Sequence, residues 1–69
     1  MKYKVGDKVR IKTYEQLTKE EIFLSSSAYQ FCGQILEIES VNDTNGYYET
    51  IENPFSWTDN MIACKVEDV

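Results

Sequence analysis

The amino-acid sequence predicts a mainly β domain, a small five-stranded barrel with a short helical insertion between its first two strands. Three stretches carry that prediction. Val9 and Ile11 alternate with Lys8, Arg10 and Lys12, the period-two pattern of a strand with one buried face. Gly33 to Val41 is the longest apolar-patterned run, and a turn signal closes each of its ends. Asn42-Asp43-Thr44-Asn45-Gly46 follows it, and Asn45-Gly46 favours a hairpin turn that needs positive φ.

The chain opens on Val5-Gly6-Asp7, which reads as a tight turn. Gly6 can take positive φ, and Asp7 can bond back to the local backbone. The strand over Lys8 to Lys12 follows. Residues 14–32 are polar and helical in pattern. Leu17-Thr18-Lys19-Glu20-Glu21-Ile22 fits a capping box with a staple: Thr18 as N-cap, Glu21 at N3, Leu17 packed against Ile22. Ser25-Ser26-Ser27 breaks that helix. Ser27-Ala28-Tyr29-Gln30 repeats the capping signal, and Gly33 suits the C′ position.

In the central run, Ile35 and Val41 share one parity while Leu36 and Ile38 share the other. A β-bulge near Leu36 or Glu37 would bring Ile35, Ile38 and Val41 to one face. The next strand covers Tyr47 to Glu52, with Tyr47, Glu49 and Ile51 alternating with Tyr48, Thr50 and Glu52, so one Tyr ring faces solvent. Asn53-Pro54-Phe55-Ser56 is a turn, because Pro54 cannot donate to a ladder. Trp57-Thr58 makes a short strand, Asp59-Asn60 a break with room for one 3₁₀ turn, and Met61 to Val66 the last strand. Glu67-Asp68-Val69 reads as a solvated tail. The expected core is Val9, Ile11, Ile35, Ile38, Ile51 and Ile62.

Length and composition bound the function. Sixty-nine residues, 42% apolar and 13% aromatic, suffice for one compact core, so residues 1–69 form a single domain. The formal charge of −5 argues against binding bare nucleic acid or an anionic membrane surface. No apolar run approaches the ~18 residues of a membrane span. Met1 to Asp7 has no signal-peptide core, which points to the cytoplasm. Cys32 and Cys64 are then expected as reduced, half-buried, slow-reacting thiols.

Short strands, one long early excursion, tight later turns and a turn before the last strand match a small SH3-like barrel, which by closing removes sheet edges. Lys4-Val5-Gly6-Asp7-Lys8-Val9-Arg10-Ile11, then Gly33-x-Ile35-x-x-Ile38-x-x-Val41, then Trp57-Thr58-Asp59-x-Met61-Ile62 resemble small phage and prophage proteins related to Mind bomb/HERC2-type SH3-like domains. The resemblance covers most of the chain and is weakest across residues 14–32. It implies a fold and no shared chemistry.

No residue set supports catalysis. The chain has no His, so neither thiol has an imidazole base, and its three Gly are isolated rather than gathered in a phosphate loop. Two Cys without His cannot make a four-ligand zinc site, and no calcium-loop spacing occurs, so no metal or other cofactor is expected. Glu37, Glu39, Glu49 and Glu52 fall on two strands expected to pair, and read first as solvated outer-face residues. The aromatics point elsewhere. Some rings must fill the barrel, Trp57 first among them as core member or lid; Tyr14, Tyr47, Tyr48, Phe55 and Trp57 also lie in or beside expected loops, where an exposed ring anchors a binding surface. Tyr14, Tyr48, Phe55 and Trp57 would line one groove between the early excursion and the later turns, suited to a Pro-rich or basic peptide. The expected function is therefore a non-enzymatic protein-binding module. The alternative is an acidic inhibitor of a host nucleic-acid enzyme, acting through the four Glu.

Overall fold

The computed structural model describes residues 2–51 and 53–66. Glu52 and the expected tail at 67–69 lie outside the described residues. Five antiparallel strands dominate: β1 (Lys8–Ile11), β2 (Ile35–Asn42), β3 (Tyr47–Thr50), β4 (Ser56–Trp57) and β5 (Ile62–Val66). Between β1 and β2 the chain makes one short helix, α1 (Tyr14–Lys19), and a 3₁₀ stretch over Ser26–Phe31. A second 3₁₀ turn, Asp59–Met61, precedes β5, where the sequence left room for one. The strand order is β4-β3-β2-β1-β5. No ladder joins β4 to β5 among the described residues, so the sheet is open and the expected closure is not formed.

The opening turn forms as expected. Asp7 N–H donates to Lys4 O at 3.0 Å, and Lys4 N–H donates to Asp7 Oδ2 at 3.1 Å. Gly6 has φ 92°, in the left-handed region that favours glycine. Gly6 N–H then donates to Ile38 O, and Ile38 N–H to Asp7 O, both at 2.9 Å, which fastens the turn to β2. Lys65 Nζ reaches Asp7 Oδ1 at 3.5 Å from the other side.

The helix lies one turn earlier than the sequence suggested. Thr13 is its N-cap and Gln16 its N3 residue, with both reciprocal bonds of a capping box. Glu20 is the C-cap. Glu21 follows with φ 59°, its N–H donating to Thr18 O at 3.1 Å, and Ile22 N–H donates to Leu17 O at 2.9 Å. These two bonds are a Schellman ending. Leu17 and Ile22, expected to staple the start of a helix, therefore bracket its end. The earlier box goes with complete burial of Leu17, which points inward from the middle of the helix. Gly33, at φ 78°, follows the Cys32 C-cap of the 3₁₀ stretch as expected, and the N-cap position of that stretch is Ser25 rather than Ser27, with no bond from the serine side chain.

β2 does bulge, but at a different place. Its register against β3 shifts between Ile38 and Ser40, so the extra residue is Glu39 and not Leu36 or Glu37. Leu36 and Ile38 face inward before the bulge, and half-buried Val41 packs on the core after it. Ile35 takes the opposite parity, sits across from Arg10 and is 47% exposed. Ile51 is also exposed, because Tyr48 and Thr50 take the inward positions of β3 and the next residue points out. Both residues leave the expected core. Val9, Ile11, Ile38 and Ile62 stay in it, joined by Ala28, Tyr48 and Trp57. A second register shift, between Arg10 and Ile11, pairs Ile62 with Ile11 and Cys64 with Arg10. That skips Ala63 and turns Cys64 outward.

The inner part of β2 bonds β1, its outer part bonds β3, and the two halves of the sheet meet in one core. Val9, Ile11 and Ile62 come from the β2-β1-β5 half, Tyr48 and Trp57 from the β2-β3-β4 half. Each fully buried aliphatic side chain contributes about 1.5–3 kcal/mol to holding them together.

Candidate functional site

The five expected contact aromatics divide into separate settings. Tyr48 lies opposite Trp57 across the β3–β4 ladder. Both point inward, at 0% and 1% exposed, and belong to the core. Neither ring offers surface to a partner: Trp57 takes the core place expected of it, and Tyr48 joins it there rather than lining the expected groove. The physical reason lies in the parity of β3: with Thr50 and Tyr48 inward, Tyr47 becomes the outward ring and is half-buried. Phe55 is half-buried beside Trp57, ring centroids 6.5 Å apart, and meets Phe31 at 5.9 Å. Phe31 also packs edge-on against Trp57 at 6.3 Å. Phe31 thus fills the place that an open groove would need, and no pocket opens among the described residues. Tyr14 is 59% exposed, and its ring partner is Tyr29, at 5.3 Å and 66°.

Tyr48 is held by its hydroxyl as well as its ring. Its O–H donates to Asp59 Oδ1 in a short bond, and its oxygen accepts Tyr3 N–H at 3.2 Å. Burial, then the bond to Asp59, pushes the Tyr48 phenol above its ordinary range. Tyr3 adds an edge-on ring contact at 5.7 Å. One hydroxyl therefore ties the N-terminal segment, β3 and the second 3₁₀ turn together. Among the described residues, buried Trp57 Nε1 and Thr50 Oγ1 find no hydrogen-bond partner.

The thiols differ from each other. Cys32 is half-buried, and burial raises its pKa above the ordinary thiol value. Cys64 is exposed, which corrects the expectation of a half-buried, slow-reacting thiol there. The skipped Ala63 is the cause. Both are free cysteines.

The acidic residues do not converge either. Glu37 stands opposite Lys8 across the β1–β2 ladder, Glu39 sits at the bulge, and Glu49 lies opposite Ser40 and Ser56. Among the described residues no group of three or more acidic or thiol side chains could hold a metal ion.

The most exposed large apolar side chain among the described residues is one the sequence reading passed over. Phe23 is 72% exposed, in the excursion between α1 and the 3₁₀ stretch. Leu24 N–H donates to Tyr29 Oη at 3.0 Å, and Tyr29 packs edge-on against Tyr14, so the backbone next to Phe23 is tied to that ring pair. The apolar triplet Ile22-Phe23-Leu24 in an otherwise polar segment was the available signal. It was hidden because Ile22 fitted a helix position. The chain matches no protein-family model, no curated protein and no solved structure.

Proposed function

We propose that this chain is a non-enzymatic protein-binding module of phage or prophage type, built on an SH3-like barrel and working in the cytoplasm. The barrel reading is supported by the strand order β4-β3-β2-β1-β5, the bulge at Glu39 and the single core shared by both halves of the sheet. The binding face is the excursion between β1 and β2. One observation carries this: Tyr14 and Phe23 are 59% and 72% exposed there, while Tyr48 and Trp57 are buried. Large rings left in water on a fixed backbone are the usual anchors of protein contacts. The partner is a protein, since the charge of −5 disfavours nucleic acid and anionic lipid. With a captured partner, Tyr14→Ala should weaken binding by about 1–3 kcal/mol with little change in the urea midpoint. Unchanged affinity in Tyr14→Ala and in a Tyr47→Ala, Phe55→Ala pair would overturn this binding face, and failure of the full chain to capture any protein would refute the module.

The second reading is an acidic inhibitor of a host nucleic-acid enzyme. Its support is that Glu39 and Glu49 are both exposed on the β2–β3 hairpin, Glu39 at the bulge and Glu49 paired with the next residue, Ser40. Under this reading, charge reversal at Glu39 and Glu49 outweighs any aromatic substitution, and affinity falls steeply with salt.

A further inference from the structure

Phe23 stands between two fixed points. On one side Ile22 N–H is held by Leu17 O at 2.9 Å, and on the other Leu24 N–H is held by Tyr29 Oη at 3.0 Å. The tyrosine that holds Leu24 is itself braced edge-on by Tyr14 at 5.3 Å. The exit from α1 is set by Glu21 at φ 59°, a conformation in which L side chains are uncommon. A flexible loop would fold an apolar side chain back onto the domain. Here the backbone on both sides is bonded and the ring stays in water. Presenting the ring in advance lowers the ordering cost of binding.

We propose that Phe23 is the anchor of a docking surface and inserts into an apolar pocket, rimmed by Lys or Arg, on a globular protein partner. The inference rests on the binding-module reading and names the partner's chemistry. Charge selects the rim. The stretch of chain leading to Phe23 carries Glu15, Glu20 and Glu21 against Lys12 and Lys19, and Lys12 is drawn to Glu20 at 2.9 Å. Glu15 and Glu21 make no ion pair among the described residues. The whole chain carries −5, so a cationic rim is steered toward it. A second copy would bring the same carboxylates and the same net charge against themselves.

The test places photoreactive p-benzoylphenylalanine at position 23 and, in separate full-length chains, at the exposed positions 35 and 51. Each is irradiated in bacterial lysate at low and high salt, and cross-linked peptides are mapped by mass spectrometry. The expected result is cross-linking from position 23 onto a cleft bordered by Lys or Arg, falling several-fold at high salt. Cross-links from 35 or 51 alone would remove Phe23 and leave the module standing. Cross-links from none would remove both. A covalent dimer of this chain, a cleft without basic residues, or salt-independent capture overturns the proposal. So does sedimentation with phosphatidylcholine vesicles that Phe23→Ser abolishes. Phe23→Ser should keep the urea midpoint of the parent, since the ring makes no core contact.

Discussion

Removing the Tyr48 hydroxyl while keeping its ring tests how the two halves of the domain are joined. Tyr48→Phe leaves the packing of a 0% exposed ring intact, so no cavity opens. It deletes a donor to the Asp59 carboxylate and an acceptor for Tyr3 N–H. A hydrogen bond to a charged group contributes about 1.5–3 kcal/mol net, and a neutral one about 0.5–1.5. Both partners are half-buried and recover some hydration, so the expected loss is about 2–3 kcal/mol. That is a large share of the ~5 kcal/mol at the low end for folded domains. Urea unfolding followed by Trp57 fluorescence reads the loss directly, since the chain has one Trp and it is buried. At ~4–8 °C per kcal/mol for a domain of this size, the thermal midpoint should fall by roughly 8–24 °C. Alkali adds a second reading. The Tyr48 pKa is raised by burial and by the Asp59 bond, so the folded state holds that proton longer than the unfolded chain. The stability it supplies is fully present below the ordinary phenol value of 10.0 and is lost as pH rises through the folded pKa. Tyr48→Phe should lack that alkaline decline. A urea midpoint within ~0.5 kcal/mol of the parent, or an unchanged alkaline limb, would refute the reasoning.

Cys64 in the folded protein should react with a thiol reagent at once, whereas half-buried Cys32, its pKa raised by burial, should wait for unfolding; equal rates would place the bulge at Ala63 wrongly. Glu21→Gly should stabilise by about 0.5–1 kcal/mol, because glycine relieves the cost of φ 59° and gives back part of it as chain entropy; a lower urea midpoint would contradict the Schellman ending. Gly46→Val should destabilise more than Thr44→Val, since Gly46 has φ 76°, and coincident midpoints for the two would show that the turn is not strained there.

Features fixed by a few neighbouring residues were legible in the sequence. The Val9/Ile11 alternation, the Gly6 and Gly46 turns, the Gly33 cap and the 3₁₀ turn at Asp59 all formed where the local chemistry put them. The Gly46 turn is longer than a two-residue hairpin loop, because Asn42 pairs Tyr47 and Gly46 N–H returns to Asn42 O at 2.8 Å. What stayed illegible depends on partners far along the chain. Two successive capping boxes, at Thr13 and at Thr18, compete, and the outcome rests on whether Leu17 finds a buried place. Each bulge is a single residue, yet it reverses every side chain beyond it. Glu39 thereby turns Val41 inward, Ile35 faces out because no bulge falls between it and Ile38, and Ala63 exposes Cys64. The candidate site suffered most. Tyr47 and Tyr48 are equivalent by composition, and only the Asp59 acceptor and the Trp57 pairing decide which one turns inward.

The pairing of Lys8 with Val66 has a mechanical consequence. The first residue of β1 and the last residue of β5 lie side by side at the same end of an antiparallel ladder. Tension applied through those two residues would load the ladder one bond at a time, like the slider of a zip, and not all its bonds together in shear. The β1–β5 seam would therefore part at low force. β1 would then keep only its ladder to β2, and Val9, Ile11 and Ile62 would be uncovered early. When tension ceased, the same adjacency would bring the two strands back into register over a short search.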